Sequence, residues 1–154
     1  MMKTSCKYLA RLEACSVDAD KKIFAFNDSG TNNRATIDVK SRRCRKVQID
    51  GALHEIQPYK CDWCLWDYSN GEFLFIELKG RDFEHAVKQL ENTIKWFLAN
   101  ITPITIYKET FIIVRAHSGI PANDTQTQLR KSRFAKAYRS VLKCTHSGTP
   151  LSFF

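Results

Sequence analysis

Asp62, Glu77 and Lys79 are the residues of this 154-residue chain whose types and spacing could do chemistry. They stand in two runs that read as a β-hairpin, where apolar side chains would be expected. Cys61 to Trp66 is apolar and aromatic, the composition of a strand. Asp67-Tyr68-Ser69-Asn70-Gly71 has turn composition, and Glu72 to Lys79 resumes as a strand. If Asp67 pairs with Glu72 across a four-residue loop, the numbers of opposed residues total 139. That sets Asp62 directly across from Glu77. Opposed side chains hold their Cβ atoms roughly 4.5–5.5 Å apart, a separation at which like charges destabilise. The second strand is apolar on both faces, Phe73 and Phe75 on one and Leu74, Ile76 and Leu78 on the other, as in a covered sheet. Alternation puts Glu77 and Lys79 on the face of Phe73 and Phe75. A register slip of one residue would exchange the faces.

Two carboxylates so placed require compensation. They can share a proton, pair with Lys79, or bind a metal ion. A hard cation such as Mg2+ takes one or two carboxylates together with water and phosphate oxygens. Lys79 beside it could stabilise a developing phosphorane charge or orient the attacking water. A structural ion pair of Lys79 with Glu77 or Asp62 accounts for the same residues.

Asp62 followed fifteen positions later by Glu77-Leu78-Lys79 resembles the signature of the PD-(D/E)xK nuclease superfamily. The resemblance implies an α/β, restriction-endonuclease-like fold. Its αβββαβ core has a mixed central sheet flanked by helices, with the motif on the second and third strands. It also implies Mg2+, with Mn2+ as a substitute, bound by Asp62 and Glu77, and Lys79 acting on the attacking water or the scissile phosphate. Cys61 stands where the family often has the name-giving proline, a position that varies. Several branches place a Gln or Lys on the helix after the motif strand. Lys88-Gln89 is similar, and Gln89 is the candidate assisting residue, with a solvated amide as the alternative. Glu13 is the comparable candidate for an accessory acidic ligand, with Asp18, Asp20 or Glu55 as other acids that could serve, or none of them.

The elements that must position these residues follow in the expected order. A first helix is predicted from about Thr4 to Cys15, with Leu9, Ala10 and Leu12 as a partial stripe. Two strands follow, around Ala35 to Val39 and Arg45 to Ile49, joined by the turn Lys40 to Cys44. After the motif hairpin Gly80 breaks the strand and Asp82 can cap a helix. That helix carries Phe83, Ala86, Val87, Leu90, Ile94, Phe97 and Leu98 on one face and ends near Asn100. Thr110 to Ala116 is a buried strand. A last helix, from about Thr125 to Lys143, has Phe134, Ala137, Tyr138, Val141 and Leu142 on one side. It adds a basic C-terminal helix to the core. Residues 1–154 are expected to form one domain, with the tail from Ser147 an extension whose terminal Phe residues dock on the body or on a partner subunit.

Charge points to a polyanionic partner. The net charge is +8, and Ile104 to Phe154 contributes +6 of it. Lys88, Arg130, Lys131, Arg133, Lys136 and Arg139 could track a phosphate backbone, as could Arg42, Arg43 and Arg45 in the run Lys40 to Lys46. Solvated faces are the plainer account of such runs. The six cysteines, with no leader-like apolar start, read as cytosolic thiols and give a cytoplasmic expectation. Cys61-Asp62-Trp63-Cys64 lacks the second pair a zinc site needs, and its cysteines are expected on opposite strand faces. No stretch is long enough for a membrane span. The expected function is Mg2+-dependent phosphodiester hydrolysis of nucleic acid, DNA before RNA, with specificity from a homodimer or a partner protein. The competing expectation is a non-catalytic nucleic-acid- or protein-binding module on the same fold.

Overall fold

A computed structural model describes residues 6–28, 32–50, 53–78, 82–101, 103–114 and 124–154. Its elements, in chain order, are α1 (Cys6–Ala14), β1 (Ser16–Ala19), β2 (Ile23–Asn27), β3 (Arg34–Asp38), β4 (Cys44–Gln48), β5 (Trp63–Asp67) and β6 (Glu72–Leu78). They continue with α2 (Phe83–Asn100), β7 (Thr105–Ile106), β8 (Glu109–Val114), α3 (Thr125–Tyr138), β9 (Val141–His146) and β10 (Pro150–Ser152).

The motif hairpin is the centre of a seven-stranded mixed sheet. Strands β1, β4, β5 and β6 run antiparallel to one another, and β8 and β9 then add in parallel, giving the order β1-β4-β5-β6-β8-β9. The short β7 also pairs with β6. Asp67 pairs with Glu72 and Trp63 with Ile76, the expected register. Asp67 belongs to the strand and not to the turn. Its side chain is fully buried and accepts from Ser69, Asn70 and Arg42, which fixes the loop. Gly71 closes that loop at φ +70°, a conformation that favours glycine.

The strongly apolar β6 is covered on both faces. Phe73 and Phe75 face one core with Ala86, Val87, Leu90, Ile94 and Phe97 of α2, Leu12 of α1 and Phe134 of α3. Leu74, Ile76 and Leu78 face a second core with Phe24, Phe26, Ile37, Leu151 and Phe153. The layer over this second face is a three-stranded sheet in the order β10-β3-β2. The helices described therefore lie on one side of the sheet, and the expectation of a sheet flanked by helices is corrected to helices on one face and strands on the other.

The last helix is also corrected. It stops at Tyr138, Arg139 takes a left-handed φ of 52°, and the chain from Val141 becomes β9. Six consecutive parallel pairs with β8 stabilise Val141–His146 as a strand. Val141 and Leu142 therefore belong to no helix face. The tail docks on the body, as one of the two expectations had it: β10 pairs in parallel with β3, and Phe153 is completely buried, while Phe154 stays exposed. Strands β1 and β2 have no counterpart in the sequence reading. Alternation in Ile23–Asn27, with Phe24 and Phe26 inward, is the signal for the second of these. No helix among the described residues is long and apolar enough to cross a membrane.

Candidate active site

Asp62 precedes β5, and Glu77 lies one residue beyond the last regular β5–β6 pair. There the two side chains replace the ladder. The Asp62 backbone N–H donates to Glu77 Oε2 at 3.0 Å, and the Leu78 N–H donates to Asp62 Oδ2 at 2.9 Å. Each carboxylate is thus held by a backbone donor from the opposite strand. Glu77 is 1% exposed, and Asp62 is half-buried.

The segment leading to Asp62 is held by one stripe of α2. His85, Gln89 and Thr93 recur at every fourth position and so line one helical face. They meet Tyr59, Lys60 and Cys61 in turn. The Tyr59 and His85 rings lie edge to face with centroids 4.8 Å apart. Gln89 Nε2 donates to the Lys60 carbonyl at 3.1 Å, and the Cys61 N–H donates to Thr93 Oγ1 at 2.9 Å. Asp82 caps this helix by accepting from the His85 N–H, as its sequence position implied. Gln89 is therefore neither a solvated amide nor, by its hydrogen bond, a partner of the carboxylates. It positions the segment that leads to Asp62, while its Oε1 is buried without a hydrogen-bond partner. His85 and Thr93 were missed in the sequence, although their spacing with Gln89 beside an apolar stripe was the available signal.

Burial pushes the Asp62 carboxyl above the ordinary carboxylate range. The Leu78 N–H opposes that shift, and the negative charges of Asp28 and Asp50 add to it. These are the acids that Asp62 feels. Glu13, Asp18, Asp20 and Glu55 are engaged elsewhere, with Arg45, Lys21, Arg43 and Arg11. Of the alternatives, that none of these four serves the site agrees with these pairings. Asp28 follows β2 and Asp50 follows β4, so only the tertiary arrangement brings their charges to bear on Asp62.

Lys79 lies outside the described residues. Among those described, no group of three or more His, Cys, Asp or Glu side chains is clustered to hold a metal ion. Asp62 and Glu77 nonetheless offer a hard, oxygen-only donor pair, which fits a divalent cation sharing its shell with water and phosphate. Cys61 and Cys64 do not lie on opposite faces. Both are buried in the α2-side core, because Cys61 precedes the regular strand. Burial pushes both thiols above their ordinary range, which makes them poor metal ligands as they stand.

The basic residues divide into two groups. Arg42 pairs with Asp67 at 2.8 Å and Glu72 at 2.6 Å, Arg45 with Glu13, and Arg130 with Glu84 and Glu91 of α2. Their charge is used internally. Arg43 is exposed, lies 3.8 Å from Asp20, and stacks over Tyr68. Lys88, Arg133, Lys136 and Arg139 are exposed and Lys131 is half-buried, and none of these has an ion-pair partner among the described residues. No family model, curated protein or solved structure matches this chain.

Proposed function

We propose that this protein is a Mg2+-dependent nuclease of the PD-(D/E)xK type that hydrolyses phosphodiester bonds of DNA. The observation that carries this reading is the reciprocal hold on Asp62 and Glu77, which fixes two carboxyl groups close together at the carboxyl end of β6. A divalent cation there would polarise phosphate and lower the pKa of water. Asp62 and Glu77 would hold it, and the backbone donors keep both side chains in place before it arrives. Gln89 and Thr93 position Asp62 through the preceding backbone. Lys79 would orient water or the scissile phosphate, and Lys88, Lys131, Arg133, Lys136 and Arg139 would bind the phosphate backbone. The element order supports the same reading. After α1 and the strands β1 to β3 comes an antiparallel meander, β4-β5-β6, the helix α2 crosses over, and β8 returns in parallel, with Glu77 on the third strand of the meander and Asp62 just before the second.

The test is incubation of plasmid, single-stranded DNA and RNA with Mg2+ or Mn2+, beside Asp62→Asn, Glu77→Gln and Lys79→Ala. Metal-dependent cutting is expected to fall by on the order of 100-fold or more in each variant. Mg2+ is expected to raise the thermal midpoint of the wild type but not of Asp62→Asn. Binding without cutting by the wild type, on every substrate and with either metal, would instead identify a binding module.

A further inference from the structure

Tyr59 is 40% exposed, one of the few large aromatic side chains left open to solvent, and it stands three residues before Asp62. Its ring is backed edge to face by His85, and the neighbouring backbone is tied down by Gln89 and Thr93. Chain direction places this pair. Helix α2 and the segment from Tyr59 into β5 both run away from the sheet edge at which β6 ends. The stripe His85, Gln89, Thr93 meets Tyr59, Lys60, Cys61 in the same order. Tyr59 and His85 are thus the first contacts of the stripe, three residues ahead of Asp62 in the chain. Exposed Lys88, three positions from His85, has no ion-pair partner among the described residues.

We infer that Tyr59, backed by His85, is a stacking platform for an unpaired nucleobase beside the scissile phosphate, and that the preferred substrate is a single strand or a frayed end. The inference rests on the nuclease reading and deepens it. A base within a duplex is already stacked on both faces and cannot offer one to a side chain at the rim, whereas an unpaired base can. Aromatic stacking of this kind is tolerant of sequence, and Lys88 would take the adjacent phosphate.

Binding is measured in the Glu77→Gln background, so that no strand is cut. The probes are a single-stranded oligonucleotide carrying 2-aminopurine and its duplex. Tyr59→Leu is expected to weaken single-strand binding by roughly 5- to 100-fold and to abolish the quenching of the probe. Tyr59→Phe is expected to retain both, because the ring face and not the hydroxyl does the work. Duplex affinity is expected to change little. Equal losses on single strand and duplex, or unchanged quenching in Tyr59→Leu, would overturn the inference. If the wild type cuts with Mg2+ while Tyr59→Leu binds normally, the platform fails and the nuclease reading stands. If the wild type cuts nothing but quenching depends on the Tyr59 ring, the platform stands and the nuclease reading fails.

Discussion

At the residue scale the chain buries carboxylates in two ways. Asp67 is fully buried, which works against ionisation, yet bonds from Ser69, Asn70 and Arg42 prevail and hold its carboxyl below the ordinary value of 3.8. A depressed folded-state pKa contributes stability that is present above the unfolded value and is lost as pH falls through the folded one. Asp67→Asn is therefore expected to cost about 1–3 kcal/mol at pH 7. The difference from wild type should shrink as pH drops below 3.8, measured by urea unfolding. A difference constant from pH 7 to pH 2 would rule out the Asp67 charge as its source. Asp62 is the opposite case: desolvation wins and its carboxyl is raised. Asp67 has an arginine and four donors from Ser69 and Asn70, whereas Asp62 has one backbone donor, from Leu78, and the opposing charges of Asp28 and Asp50. The first closes a turn, and the second keeps its carboxyl raised.

At the scale of elements, α2 is both core and scaffold. Its apolar face packs on Phe73 and Phe75, and its adjoining polar stripe holds the approach to Asp62. Gln89→Leu removes the bond to Lys60 and is expected to cost about 1 kcal/mol. It should lower the rate of cutting with little change in strand affinity, a split that kcat and KM measured together would show. Arg130 joins α3 to α2 by contacts of 2.7 and 3.0 Å to Glu91. Arg130→Ala is expected to destabilise by about 1–3 kcal/mol, because it leaves Glu91 uncompensated, and to change DNA affinity little. The double change Arg133→Ala and Lys136→Ala should do the reverse. Stability should hold within about 0.5 kcal/mol. The slope of log affinity against log salt should fall by about 2. Salt titrations and thermal melts of the two variants separate structural from contact cations.

At the scale of the molecule, the large sheet lies between a helical layer and a small sheet. The small sheet depends on residues from both ends of the chain, β2 and β3 early and β10 late. Phe153 is the last large side chain in that core, packed against Tyr107 and beneath the Arg42 guanidinium, 4.2 Å from its ring centroid. Phe153→Ala is expected to cost about 3–5 kcal/mol in denaturant unfolding. A loss below about 1 kcal/mol would mean the tail contributes little to the fold.

Local pattern made the hairpin legible. Turn composition and alternation set a register that held from Trp63 to Asp67. The 3-4-7 spacing and Asp82 made α2 legible, because an N-cap and an apolar stripe are written within one segment. The stretch after Arg139 was misread because Val141 and Leu142 also fit a helical face, and only pairing with distant β8 decides for a strand. The same limit applied to charge: Arg42, Arg45 and Arg130 look like free cations until the fold brings Asp67, Glu72, Glu13, Glu84 and Glu91 to them.

What the sequence determined by itself was the hairpin register from Trp63 to Asp67, which brings Asp62 up to Glu77, since register follows from a short loop and a period of two. What the tertiary structure alone decided was how that approach is held and which charges surround it. Those interactions join segments distant in sequence, the α2 stripe to the strand before Asp62 and the fields of Asp28 and Asp50 to its carboxylate. Such contacts leave no periodic trace within either segment.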